Sequence, residues 1–156
     1  MKLFQLLVKT VVAPVLLLTS ASAQTKSDIK SLVDGKNFVF SAQTVLPSTG
    51  SVRQLTSGYY TLRFSKDTLV ADLPYFGRAY SAPIDPTQGG LKFTSKDFDY
   101  AVKEKKKEWD ITIKPHDAGD ASQIYLTVYD NGTAYLQVVS INRQPITFNG
   151  VIEAKK

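Results

Sequence analysis

The chain has no cysteine at all, a single histidine, a single tryptophan and a single methionine, Met1. Without cysteine no disulfide can hold the fold, so its apolar core must suffice. One histidine and no thiol make a transition-metal site improbable. Long apolar runs are missing beyond the first residues. Charge is close to balanced, 19 basic against 14 acidic residues over 156. That balance lacks the concentrated basic face a nucleic-acid binder needs. No cofactor is expected, and no nucleic-acid partner.

The first 23 residues read as a secretory signal peptide. Lys2 and Lys9 supply positive charge, Val11 to Leu18 a short apolar core broken only by Pro14, and Ala21-Ser22-Ala23 a small-x-small cleavage site. Cleavage leaves Gln24 first and 133 of the 156 residues, and removal of the two lysines lowers the net charge from +5 by two, to +3. No cysteine follows the site, so no lipid anchor is expected there. The reading is an exported, soluble, periplasmic product of one domain, residues 24–156.

What is present is alternation. Residues 24 to 36 read as a short helix, capped by Thr25 or Ser27, with Ile29, Leu32 and Val33 as its apolar stripe and Gly35 as its stop. From Asn37 the period becomes two, with Phe38, Phe40 and Ala42 on one face. A polar connection over 43–57 leaves room for a short strand near Val52 to Leu55. Three hairpins follow. The first pairs Phe64 with Leu69, Leu62 with Ala71 and Tyr60 with Leu73. The second, with its turn on Lys105-Lys106, pairs Phe98 with Ile113, Tyr100 with Ile111 and Val102 with Trp109, and sets Lys103 opposite Glu108 and Asp97 opposite Lys114. The third turns at Asp130-Asn131-Gly132. A three-residue loop with Gly132 left-handed pairs Val128 with Ala134, Leu126 with Leu136 and Ile124 with Val138, and keeps the apolar face whole. Tyr125, Tyr129 and Tyr135 then share the opposite face. A last strand from Ile146 to Ile152 lays Ile146 and Phe148 against Val138 and Leu136. The fold class is mainly β: an antiparallel meander of eight or nine strands closing as an up-and-down barrel, with a β-sandwich as the alternative.

Leu73-Pro74-Tyr75-Phe76-Gly77-Arg78-Ala79-Tyr80 is the most distinctive stretch. Pro74 ends a strand, and with Gly77 it fits a type I turn. Arg78 and Tyr80 alternate onto one face. Two readings follow. Tyr75, Phe76, Arg78 and Tyr80 border a barrel mouth and meet an apolar or amphipathic small molecule, or they form a hydrophobic plug with Arg78 as a clamp. Elsewhere His116, beside Asp117, sits in a polar loop with no nucleophile motif around it. Asp97 and Asp99 lie on a charge-paired face. No catalytic residue, no metal ligand and no enzyme activity is expected.

That octapeptide, with Asn131-Gly132-Thr133-Ala134 and Asn142-Arg143-Gln144, resembles a family of secreted Bacteroidetes proteins, the DUF4251-like domain of unknown function. The resemblance covers nearly all of the chain after residue 23. It implies an exported protein with a lipocalin-like barrel, and no activity. Two function classes stand side by side: a small-ligand-binding module, and a filled barrel acting as a protein-interaction domain in the cell envelope.

Overall fold

The computed structural model describes residues 20–80 and 89–155. Most of the expected signal peptide and residues Pro83 to Gln88 of the expected loop lie outside the described residues.

One helix precedes ten strands. Helix α1 spans Ser20–Asp34 and begins earlier than expected. Nothing in Ser22-Ala23-Gln24-Thr25 breaks a helix, so neither Thr25 nor Ser27 is the cap. Its end is a Schellman motif: Asn37 N–H donates to the Leu32 carbonyl and Lys36 N–H to the Val33 carbonyl, each at 3.2 Å. The left-handed residue is Lys36, at φ 48°, rather than Gly35.

β1 (Phe38–Pro47) carries the expected buried face of Phe38, Phe40 and Ala42. A bulge at Gln43 lets it pair further than the sequence suggested. β2 (Arg53–Gln54) is the short strand in the polar connection. β3 (Thr61–Ser65) and β4 (Thr68–Leu73) pair Phe64 with Leu69 and Leu62 with Ala71, as the pattern required. Tyr60 falls just outside β3 and does not reach Leu73 as a strand partner; its carbonyl accepts from Ala42 N–H instead.

β5 (Leu91–Ser95) runs directly into β6 (Phe98–Glu104), with β7 (Glu108–Pro115), β8 (Ala121–Tyr129), β9 (Thr133–Ser140) and β10 (Ile146–Ala154) following. The β6–β7 hairpin differs from expectation by two residues. Tyr100 opposes Ile113, Val102 opposes Ile111, and Glu104 takes the place opposite Trp109. The tight pair is Lys105 with Glu108, so the turn centres on Lys106-Lys107. A slip of two leaves every side chain on its own face. Opposite charges also meet in both registers, here Lys103 with Asp110 and Asp99 with Lys114. In the observed register the Lys105 ammonium reaches both Glu108 (2.6 Å) and Asp110 (2.7 Å).

The third hairpin has the expected register throughout, and Gly132 has φ 85°. β10 lays Ile146 and Phe148 against Val138 and Leu136.

Strand order is β5-β4-β3-β1-β10-β9-β8-β7-β6, antiparallel throughout, with β2 beside β1. The two strands at the ends of that order, β5 and β6, are consecutive in the chain. The sheet therefore curls until its ends meet at a corner, Lys96-Asp97, and forms a nearly closed barrel. The corner is fastened by polar groups. Ser95 Oγ bonds the Asp117 carboxylate, Lys96 N–H donates to the same carboxylate at 3.0 Å, and His116 N–H donates to the Asp97 carbonyl at 2.8 Å. The Ser95 hydroxyl and the Lys96 amide hold the Asp117 carboxyl below the usual carboxylate range.

α1 lies along β6. Tyr100 Oη donates to the Val33 carbonyl (3.1 Å), and Lys30 pairs with Glu104 (2.7 Å). Burial pushes the Tyr100 phenol upward. Inside the barrel Trp109, Phe38, Phe40, Phe64 and Phe148 are wholly buried, together with leucines, isoleucines and valines from both halves of the sheet. One core fills the interior.

Candidate functional site

The octapeptide lies where β4, β5, β8, β9 and β10 begin or end. Leu73 ends β4, as Pro74 requires. The type I turn does not form: residues 74–76 are irregular, only Gly77 bends, and no backbone hydrogen bond closes the segment. The shape comes from Tyr75. Its hydroxyl is shared between the carbonyls of Arg78 (2.8 Å) and Gln144 (3.0 Å), so the ring folds back over Gly77. A Cβ on Gly77 would lie 2.7 Å from Tyr75 Cζ, which explains the glycine by close approach rather than by turn geometry. Partial burial pushes the Tyr75 phenol up. Beyond Gly77 the chain makes one bridge to the β9–β10 turn. Ala79 pairs with Arg143, Tyr80 N–H donates to the Asn142 carbonyl (2.7 Å), and Gln144 N–H donates to the Arg78 carbonyl (3.0 Å).

The arginine of this cluster is Arg143. Its guanidinium lies 5.2 Å from the Tyr75 ring centre, donates from Nη1 to the Gly90 carbonyl (2.8 Å), and places Nε 3.2 Å from Asp120 Oδ2. Asp120 Oδ1 accepts from Asn142 N–H at 2.9 Å. Side-chain exposure is 12% for Arg143 and 26% for Asp120, so the pair is largely shielded. One ion pair thus holds the start of β5, the end of the β7–β8 loop, the β9–β10 turn and Tyr75 together.

The four residues singled out by sequence separate. Tyr75 is inside the clamp. Phe76 is at the surface, with the Arg53 guanidinium 4.8 Å over its ring. Tyr80 is 70% exposed. Arg78 is exposed, and while its carbonyl accepts from Tyr75 and Gln144, its guanidinium forms no hydrogen bond or ion pair among the described residues. Sequence reasoning missed Arg143, Asp120 and Arg53. The β8–β9 register carried a signal for two of them: extended past Ala121, it sets Asp120 beside the 141–143 turn.

His116 Nε2 lies 3.3 Å from Asp99, at the surface, and among the described residues no serine hydrogen-bonds its ring. Among the described residues no three histidine or acidic side chains converge.

A second surface is the outer face of β6 to β9. Tyr125, Tyr129 and Tyr135 project from it, 40%, 40% and 39% exposed. Beside Tyr125 a groove of about 460 Å³ is lined by Ala101, Thr112 and Thr127, with Lys103 and Asp110 among the polar groups around it. Thr127 Oγ1 donates to Asp110 at 3.0 Å, and the Lys105 ammonium holds the Asp110 carboxyl below its usual range.

The domain of unknown function DUF4251 matches residues 20–152. The chain belongs to the DUF4251 family. A crystal structure of a DUF4251 family protein from Bacteroides eggerthii is similar to it, with a TM-score of 0.63 and 17% sequence identity over 85% of this chain and 89% of that one. At that identity the likeness shows a shared fold. No curated protein matches the chain. The match spans β1 to β10, including the Tyr75–Arg143 clamp and the tyrosine face.

Proposed function

We propose that this DUF4251 protein is a filled barrel that serves as a protein-interaction domain in the cell envelope, with the tyrosine-bearing outer face of β8 and β9 as its contact surface. The observation that carries this reading is the contrast between the two sides of the sheet. The inner side is packed with wholly buried aromatic and branched residues. The outer side presents three tyrosines at about 40% exposure next to a groove. A barrel of about eight strands is either filled by side chains or holds one small ligand, and this interior is taken up by its own residues. Tyrosine is a favoured contact residue because its ring gives large area at little entropic cost, with a hydroxyl to anchor it. The signal-peptide pattern supports placing the protein in the envelope.

The test is a photo-cross-linking residue placed in the native host at Tyr125 or Tyr135, with Arg63 on β3 as a control position. Discrete protein adducts from the first two and none from Arg63 are expected. Equal labelling at all three, or none, overturns the reading.

A second reading has one observation in its favour. Arg78 is an exposed cation two residues before the exposed Tyr80, and its guanidinium is available to the acidic head of an amphipathic molecule held at the rim. Native mass spectrometry of protein from its own host tests it. A bound small molecule that disappears in Arg78→Ala, with unchanged melting, is expected on this reading alone.

A further inference from the structure

The barrel is closed by a corner rather than by a ladder, so among the described residues β6 keeps one edge without a strand partner. Which backbone groups lie on that edge follows from the β6–β7 pairing. Lys105 N–H donates to the Glu108 carbonyl and His116 N–H to the Asp97 carbonyl, each at 2.8 Å, and the register between these two bonds is unbroken. Odd-numbered residues of β6 therefore direct N–H and C=O toward β7. Phe98, Tyr100, Val102 and Glu104 direct theirs away. Among the described residues none of those four has a backbone hydrogen-bond partner outside the β6–β7 ladder. α1 reaches β6 through the side chains of Tyr100 and Glu104, which stand on the inner face. Ala101 to Glu104 are all exposed. An exposed strand edge of this kind is a template for another strand.

We infer that the occupant of this edge is β6 of a second copy, paired antiparallel about a two-fold axis at Ala101. The sequence of the strand carries the argument. Its outward side chains read Asp97, Asp99, Ala101, Lys103, Lys105: two acids, a small residue, two bases. Reversed against itself about Ala101, the pattern sets Asp99 opposite the second copy's Lys103 and Lys103 opposite its Asp99. Asp97 and Lys105 meet in the same way. Lys105 is held by both Glu108 and Asp110, whereas Asp99, 72% exposed beside His116, and the exposed Lys103 remain accessible and supply the specificity. Backbone polarity agrees with this register independently. It places Tyr100 opposite Val102 and Phe98 opposite Glu104, the four residues whose donors and acceptors point outward. Ala101 then falls at a non-hydrogen-bonded pair, where facing side chains approach most closely and a small residue fits. Shifting the axis to Tyr100 or Val102 sets Asp99 or Lys103 against alanine and leaves that residue unpaired by charge. The contact is isologous, as a two-fold requires. This edge borders the groove beside Tyr125, which Ala101 and Lys103 help to line, but the inference rests on strand pairing and does not depend on the tyrosine reading.

The experiment is sedimentation velocity on the protein as purified from its host, at concentrations up to about 100 μM. The wild type is expected to be a dimer. Asp99→Lys and Lys103→Asp each create two like-charge pairs across the axis, and each is expected to raise the dissociation constant at least about tenfold. Mixing the two variants restores opposite charges at both positions, so an equimolar mixture is expected to dimerise again. Damage to the hairpin, where Asp99 faces Lys114 and Lys103 faces Asp110, would not be repaired by mixing. A monomeric wild type, single variants as dimeric as the wild type, or a mixture that stays monomeric overturns the inference. Should either charge variant fold poorly, the lack of cysteine offers another route. Ala101→Cys puts one thiol on the axis and is expected to give a disulfide-linked dimer on mild oxidation, while Thr127→Cys on the same outer face is not. Equal cross-linking of the two, or no cross-linked Ala101→Cys dimer, also overturns it.

Discussion

At the scale of single residues, the two arginines of the rim separate burial from display. Arg143 is shielded, stacked on Tyr75 and paired with Asp120. Removing one partner of a shielded pair leaves the other charge uncompensated, at a cost of several kcal/mol for full burial. Arg143 and Asp120 retain some exposure, so the expected loss for Arg143→Ala is smaller, about 2 kcal/mol. Arg78→Ala removes an exposed side chain and is expected to change stability by less than about 0.5 kcal/mol. Urea denaturation of both variants checks this. Equal losses would mean that Arg78, as the octapeptide alone suggests, is the clamp after all. The sequence pointed to this cluster through Tyr75 but not to its shielded cation, because alternation is a local rule. It placed Arg78 beside Tyr80, whereas the arginine that stacks on Tyr75 arrives from 65 residues further along the chain, through a turn whose position only the closed sheet decides.

At the scale of elements, hairpin registers were legible to different depths. The Asp130-Asn131-Gly132 turn was fully legible, because a competing two-residue turn breaks the apolar face and so cannot compete. The β6–β7 hairpin was legible only modulo two, because a slip of two preserves both faces and the signs of its charge pairs. The β5–β6 corner was not legible at all; its fasteners, Ser95 and Asp117, come from opposite ends of the sheet. Two expectations follow. Gly132 has φ 85°, and a Cβ there would also press on Ile29 Cδ1 at 3.3 Å, so Gly132→Val is expected to destabilise the fold by more than about 1 kcal/mol. A variant that melts with the wild type would remove the bulge assignment. For the corner, Asp117 has a carboxyl depressed by its bonds to Ser95 and Lys96. A depressed folded value stabilises above the unfolded carboxylate range, so this contribution begins to decline as pH falls through that range and is gone below the folded value. Thermal melts from neutral to acid pH are expected to show a shallower acid limb for Asp117→Asn than for the wild type, and parallel limbs would show that the corner does not depend on this carboxylate. Asp110, depressed by Lys105, titrates in the same direction and remains in both proteins.

At the scale of the whole molecule, α1 ties the proposed route of export to the final fold. The helix begins at Ser20 and runs through the small-x-small site at Ala21-Ser22-Ala23. A peptide bond inside a hydrogen-bonded helix is a poor protease substrate; cleavage favours exposed, extended chain. On the proposed export route, processing after Ala23 is therefore expected to precede the docking of α1, while the segment is still unfolded. Lys26 to the Lys106 carbonyl, Lys30 to Glu104, Ile29 against Gly132, and the Val33 carbonyl with Tyr100 all lie beyond the cut. The remaining segment from Gln24 to Asp34 is too short to be a stable helix alone, and it forms because Ile29 and Val33 are buried against the sheet. Intact mass of the protein from its host is expected to correspond to a chain starting at Gln24, in its free or cyclised form. Ile29→Asp, which places a charge in that buried contact, is expected to lower stability by about 2–4 kcal/mol without changing the cleavage site, because cleavage comes first. A mass retaining residues 1–23 would overturn the proposed processing, and a shift of the cleavage site in Ile29→Asp would overturn the order of events.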